Sequence, residues 1–182
     1  MNFIKTEIPD VVIIEPRVWG DERGYFFESY RHDAFCEYVE PIEWIQDNES
    51  FSSYGTLRGL HYQLPPFAQS KLVRVTQGSV LDIAVDIRRK SPTFGQHVAV
   101  VLSDENKKQL FLPKGFAHGF VVLSPTAIFQ YKVDNYYSKE SERSIIFNDQ
   151  KLNINWGLLN KNIIISEKDR QALPFQATEL FE

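Results

Sequence analysis

The chain has 182 residues, of which 43% are hydrophobic and 14% aromatic, and 20 Lys plus Arg stand against 24 Asp plus Glu for a net charge of −4. This length predicts one domain over residues 1–182; the apolar share excludes a disordered chain, and the acidic surplus excludes a dedicated nucleic-acid binder. No apolar run approaches the ~18 residues a membrane span needs, the N-terminus lacks a signal-peptide core, and the lone Cys36 excludes an internal disulfide and a thiolate metal cage, so a cytoplasmic protein is expected.

Short runs rich in Val, Ile, Phe and Tyr predict strands over 11–15, 25–30, 72–76, 80–87, 97–102, 109–112, 120–123 and 128–133. Turn signals separate them at Gly20-Asp21, Gln77-Gly78-Ser79, Ser91-Pro92-Thr93, Pro113-Lys114-Gly115 and Ser124-Pro125. Over 80–87 the alternation puts Leu81, Ile83, Val85 and Ile87 on one face and Asp82, Ala84 and Asp86 on the other. Helical signals are few. Residues 33–39 predict a short helix in which Cys36 packs, and Ser166-Glu167-Lys168-Asp169 has the pattern of a capping box. Many short strands with little helix predict an antiparallel all-β domain, with a jelly roll and small peripheral helices as the architecture that fits.

The densest polar segment in a β context runs from Gln46 to Lys71 and contains LRGLHYQ at 57–63. Two readings are open for Arg58, His61 and Lys71. The cations point to solvent and His61 is a satisfied core histidine, or all three line a site. Strict alternation would put Arg58 and His61 on opposite faces, but Gly59 between them is a natural position for a bulge that would bring them together. His118, in PKGFAHGF at 113–120, stands at an expected strand entrance, either facing a barrel mouth or bonding a turn backbone. The four histidines form no H-x-H or H-x-x-x-H pair, so a metal site is not expected. Nucleophile-elbow, Walker and dinucleotide glycine motifs are absent.

Taken together, DERGYFFESY (21–30), QDNESFSSYGTLRGLHYQ (46–63), QSKLVRVTQGSVLDIAVDIRRKSPTFG (69–95), LSDENKKQLFLPKGFAHGFVVLS (102–124), YKVDNYYSKESE (131–142) and SEKD (166–169) resemble the dTDP-4-dehydrorhamnose 3,5-epimerases. The resemblance implies a cupin-type double-stranded antiparallel β-helix. It implies an isomerase that needs neither metal nor redox cofactor and acts on a dTDP-4-keto-6-deoxyhexose in dTDP-L-rhamnose biosynthesis. A single-centre epimerase or ketoisomerase on a related sugar is the nearer alternative; a non-catalytic sugar-nucleotide-binding cupin and a metal-dependent dioxygenase are the more distant ones.

By the same resemblance His61 is the base, Asp169 its carboxylate partner, Lys71 (with Arg58) the cation for the enolate, and Tyr131 the acid on the opposite face. Arg23, Phe26, Glu28, Gln46, Asp47, Asn48, Arg58, His118, Tyr137, Glu142 and Lys168 are implied to bind substrate, with Phe26 and Tyr137 against the thymine ring. A homodimer exchanging N-terminal strands is also implied. The stretch 155–165 is less typical of the family, which leaves the pocket rim there unassigned.

Overall fold

Strands with a half-buried pattern need a second layer, and here they find one in each other. The computed structural model describes residues 1–158 and 162–182. Its first sheet has the strand order β1 (Asn2–Lys5), β2 (Val12–Glu15), β10 (Gln109–Leu112), β7 (Lys71–Gln77), β12 (Thr126–Val133) and β5 (Gln46–Ser53). The second has the order β13 (Glu142–Ser144), β6 (Thr56–Gln63), β11 (Phe116–Val122), β8 (Ser79–Asp86) and β9 (His97–Ser103). The short β14 (Ile164–Ile165) joins β6 in parallel, the one parallel pairing between these named strands. A hairpin of β3 (Val18–Asp21) and β4 (Gly24–Phe27) pairs only with itself. The helices α1 (His32–Tyr38) and α2 (Glu167–Arg170) are short and peripheral.

Three apolar clusters hold these layers. Between the sheets, Val73, Val75 and Phe129 of the first meet Val80, Ala84, Phe116, Phe120 and Val122 of the second. The outer face of the second sheet is covered by Trp156, Phe175 and Leu180 from the C-terminal stretch. The outer face of the first, at Val12, Leu72 and Phe111, is covered by Phe35 of α1 and by Ile42. Each fully buried side chain of this size contributes roughly 1.5–3 kcal/mol by leaving water. This four-layer arrangement explains β8, where Ile83 and Val85 pack outward while Val80 and Ala84 pack between the sheets. Asp82 and Asp86 on the inner face are therefore both buried.

The architecture is the antiparallel jelly roll expected of a cupin, and the differences from the sequence reading lie at particular places. Gly20-Asp21 belongs to β3, and the turn falls at Glu22-Arg23. Strand β5 was not expected, because QDNESFSS shows no apolar alternation; as the edge of its sheet it has no second strand to demand one. Strand β11 begins at Phe116, so His118 is buried inside a strand and not at its entrance.

Candidate active site

The site begins with a break in register. On β6 the three steps from Arg58 to His61 face only two steps on β11, because His118 pairs with His61 and Phe120 with Arg58. The extra residue is a bulge, and Gly59 makes it possible. Its φ of +129° lies where side chains are rarely tolerated, and a Cβ there would come within 2.5 Å of the Gly119 Cα and 2.7 Å of the His118 carbonyl oxygen. The bulge turns Arg58 and His61 into one cleft of about 510 Å³ between the sheets. His118 and Phe120 join them from β11; Lys71, Phe129 and Tyr131 enter from the first sheet, and Lys168 and Asp169 from α2.

The His61 ring donates from Nε2 to Asp169 Oδ1 at 2.6 Å, leaving Nδ1 with its lone pair. Asp169 is placed by its helix. Ser166 caps α2 by accepting the Asp169 amide at 3.1 Å, and the carboxylate turns to His61 rather than back onto the cap. Burial pushes the Asp169 carboxyl up, but the His61 hydrogen bond and charge, with help from Ser166 and the Gly59 backbone, hold it below the usual carboxylate range. Lys71 is only partly exposed, and burial pushes its ammonium down to about 8 against the pull of Asp82 and Glu142. Burial likewise pushes the Tyr131 phenol up, with Arg58 pulling the other way. The Arg58 Nε donates to Ser52 Oγ at 3.1 Å, which holds the guanidinium at the cleft edge. Opposite charges and a protonated phenol therefore face one another in a space lined at its floor by the stacked rings of Phe120 and Phe129, 4.1 Å apart.

Other expected binding residues form the rim or lie elsewhere. Glu142 accepts from Lys168 at 2.5 Å and from the Tyr137 hydroxyl at 2.9 Å, so the exposed Tyr137 meets the cleft only through that pair. Asp47 and Asn48 line a separate cavity of about 280 Å³ beside Arg74, with Glu49 and Tyr131 shared between the two spaces. Gln46 lines neither and donates to Asn48 Oδ1 at 2.8 Å.

Arg23, Phe26 and Glu28 are not part of the cleft in this chain. Arg23 pairs with Asp21 at 2.6 Å on the exposed turn between β3 and β4, Phe26 stands exposed beside Trp19, and Glu28 is exposed just after the hairpin. The physical reason is that the hairpin has no strand partner in either sheet and rests on β7 through Tyr25 and Phe27, which leaves Arg23 and Phe26 turned to solvent. Within the stretch 155–165, Ile164 and Ile165 line the cleft, and residues 159–161 lie outside the described residues.

Sequence reasoning did not assign Asp82, Phe120 or Phe129 to the site. The two phenylalanines were findable, since each lies two residues from an expected site residue on the same strand face, His118 and Tyr131 respectively. Asp82 carried a weaker signal, an acid in the middle of an apolar strand. Among the described residues no cluster of three His, Cys, Asp or Glu is close enough to hold a metal ion. None of the described helices is long and apolar enough to cross a membrane.

A family model for dTDP-4-dehydrorhamnose 3,5-epimerase matches residues 5–177. The dTDP-4-dehydrorhamnose 3,5-epimerase of Shigella flexneri is 55% identical over 182 residues, covering 100% of this chain and 99% of that protein. The crystal structure of the Elizabethkingia anophelis enzyme superposes with a TM-score of 0.93 at 52% identity, covering 97% of each chain. That of the dTDP-6-deoxy-D-glucose-3,5-epimerase of Legionella pneumophila, in complex with dTDP-4-keto-L-rhamnose, gives 0.94 at 49% identity over 98% of this chain and 94% of the other. With the fold, the cleft and all three comparisons in agreement, the chain belongs to the dTDP-4-dehydrorhamnose 3,5-epimerase family of isomerases.

Proposed function

We propose that the cleft inverts carbons 3 and 5 of dTDP-4-dehydro-6-deoxy-D-glucose, giving dTDP-4-dehydro-L-rhamnose. The observation that carries the residue roles is the arrangement of His61, bonded to Asp169, and Tyr131, on opposite sheets of one cleft. The ketone at carbon 4 acidifies the hydrogens on both neighbours. The His61 Nδ1 lone pair takes one of them, and Asp169 stabilises the imidazolium that forms and holds its tautomer. Negative charge then develops on the carbonyl oxygen, where the Lys71 ammonium, with Arg58 beside it, meets it. Tyr131 delivers a proton to the opposite face of the same carbon. Burial keeps its phenol protonated until the enolate carbon claims it. His61 ends each inversion with one proton more and Tyr131 with one fewer, so both exchange with water before the second inversion.

The exposed hairpin supports a homodimer. Val18, Trp19, Tyr25 and Phe26 are all exposed on a ribbon without a sheet partner. Passed to a second copy, it would carry Arg23, Phe26 and Glu28 toward the nucleotide, where a cation meets the diphosphate and an aromatic ring meets thymine. Gln46, Asp47, Asn48, His118, Tyr137, Glu142 and Lys168 complete the binding set in this reading, and the cytoplasm, where nucleotide sugars are built, is its location. Reaction of the 4-keto sugar nucleotide in D₂O tests the chemistry. Deuterium is expected at both carbons, and label at one alone rejects double inversion.

A further inference from the structure

A second histidine–carboxylate pair has its histidine in the cleft wall and its carboxylate behind it. Asp82 sits in the middle of β8, its side chain 0% exposed, and both its oxygens face Nε2 of His118, at 3.0 and 2.9 Å. Asp82 pairs in register with Phe120, so the carboxylate reaches diagonally along β11 to the histidine two residues away. One N–H leaves most of a carboxylate's four acceptor positions open, and a buried carboxylate without compensating positive charge is costly. Among the described residues no other side chain hydrogen-bonds this carboxylate. Lys71, from the opposite sheet, lines the same cleft as His118, and its charge and that of Asp82 act on each other.

We propose that Asp82 is a positioning residue with two tasks: it pins His118 as a neutral imidazole with its N–H fixed, and it is the buried counter-charge that keeps the Lys71 ammonium protonated beside the reacting sugar. The proposal rests on the reading of Lys71 as the cation that meets the enolate. The surroundings of Lys71 support it. Its sheet neighbours are the apolar Leu112 on β10 and Val133 on β12. The cleft it lines also holds Arg58 and His61 on β6, His118 on β11, Glu49 and Tyr131 on its own sheet, and Lys168 and Asp169 on α2, while Asp82 behind His118 and Glu142 beside Lys168 act on it by charge. Of these, Asp82 and Glu142 are the anions that favour its charged form. Burial pushes His118 down and Asp82 up, and Asp82 holds His118 and Lys71 against that trend. Removing the Asp82 charge therefore makes Lys71 easier to deprotonate.

The test is Asp82→Asn, which keeps the shape and removes the charge. The Lys71 ammonium is followed by NMR in protein carrying ¹⁵N-lysine, its signal assigned by loss in Lys71→Arg. The Lys71 titration is expected to fall by about one pH unit, a tenfold loss of ammonium at a given alkaline pH. The alkaline limb of kcat/KM is expected to fall with it. A Lys71 titration unmoved by the substitution overturns the proposal. A titration that moves while the rate profile stays put supports the Asp82 assignment and counts against the role of Lys71 in the reaction. Should Asp82→Asn fail to fold, ¹⁵N-histidine spectra of the unaltered protein decide. A neutral His118 protonated only on Nε2 supports the proposal; an imidazolium at pH 7 overturns it, because the Asp82 charge would then already be spent on the histidine.

Discussion

The two histidine–carboxylate pairs share a geometry and differ in access. His61 and Asp169 meet at 2.6 Å with side-chain exposures of 31% and 6%, whereas His118 and Asp82 meet at 2.9 Å with 8% and 0%. The first pair opens onto the cleft through the His61 ring and can exchange protons with substrate and water. The second touches the cleft only through the edge of the nearly buried His118 ring, and its carboxylate is wholly buried, so its charge acts on neighbours rather than on solvent. In the proposed reading similar hydrogen bonds serve turnover in one place and positioning in the other, and solvent access is the variable that separates them.

The largest expected effect comes from breaking the open pair. His61→Asn removes the proposed base, and kcat should fall by about 10²–10⁴ with the fold intact, read by a coupled assay and circular dichroism. Retained activity would remove His61 from the reaction. Tyr131→Phe should stop net epimerisation while leaving His61-driven exchange of substrate hydrogen for deuterium, so mass change without inversion is the signature. If inversion survives, the acid lies elsewhere.

Between the pairs lies the aromatic floor. Phe129 is 1% exposed, stacks on Phe120 and lies 6.0 Å from the His118 ring. Phe129→Ala should cost about 3–5 kcal/mol of stability by opening a cavity between the sheets, measured by urea denaturation. A loss below about 1 kcal/mol would mean that the layers collapse onto the space.

The pH dependence sharpens the comparison in finer steps. Activity that needs the Lys71 ammonium should decline as pH rises through about 8, where burial has moved that group. Asp169 works on the acid side and on stability. Its folded pKa lies below its unfolded value, so its contribution is present above the unfolded pKa of 3.8 and is lost as pH falls toward and through the lower folded value. Asp169→Asn should flatten the acid edge of the stability curve in that window, and an unchanged edge would assign it to other carboxylates. The smallest change is expected at the hairpin. Arg23→Ala touches an exposed pair, so Tm should hold while KM rises, and an unchanged KM would remove Arg23 from substrate binding.

Much of the fold is legible in the sequence. Short runs rich in Val, Ile, Phe and Tyr, with alternation over 80–87, and the turn residues between them located the strands over 72–76, 80–87, 109–112 and 128–133, because apolar side chains must be buried wherever the chain goes. Gly59 marked the bulge for a local reason, since only a residue without a Cβ fits there. Strand β5 was illegible because its pairing comes from β12, a neighbour distant in sequence, and not from its own composition. Arg23 and Phe26 of the hairpin read as site residues in the chain order but stand outside the cleft of their own chain.

Local pattern carried most of the alternation, turns and the α2 cap, since those preferences act over a few bonds, with the Gly20-Asp21 turn displaced to Glu22-Arg23. Which charges would face one another was settled by the meeting of two sheets. His61 and Asp169 are 108 positions apart, and His118 and Asp82 are 36 apart. Electrostatic coupling and burial depend on distances in space, and no short stretch of chain contains them.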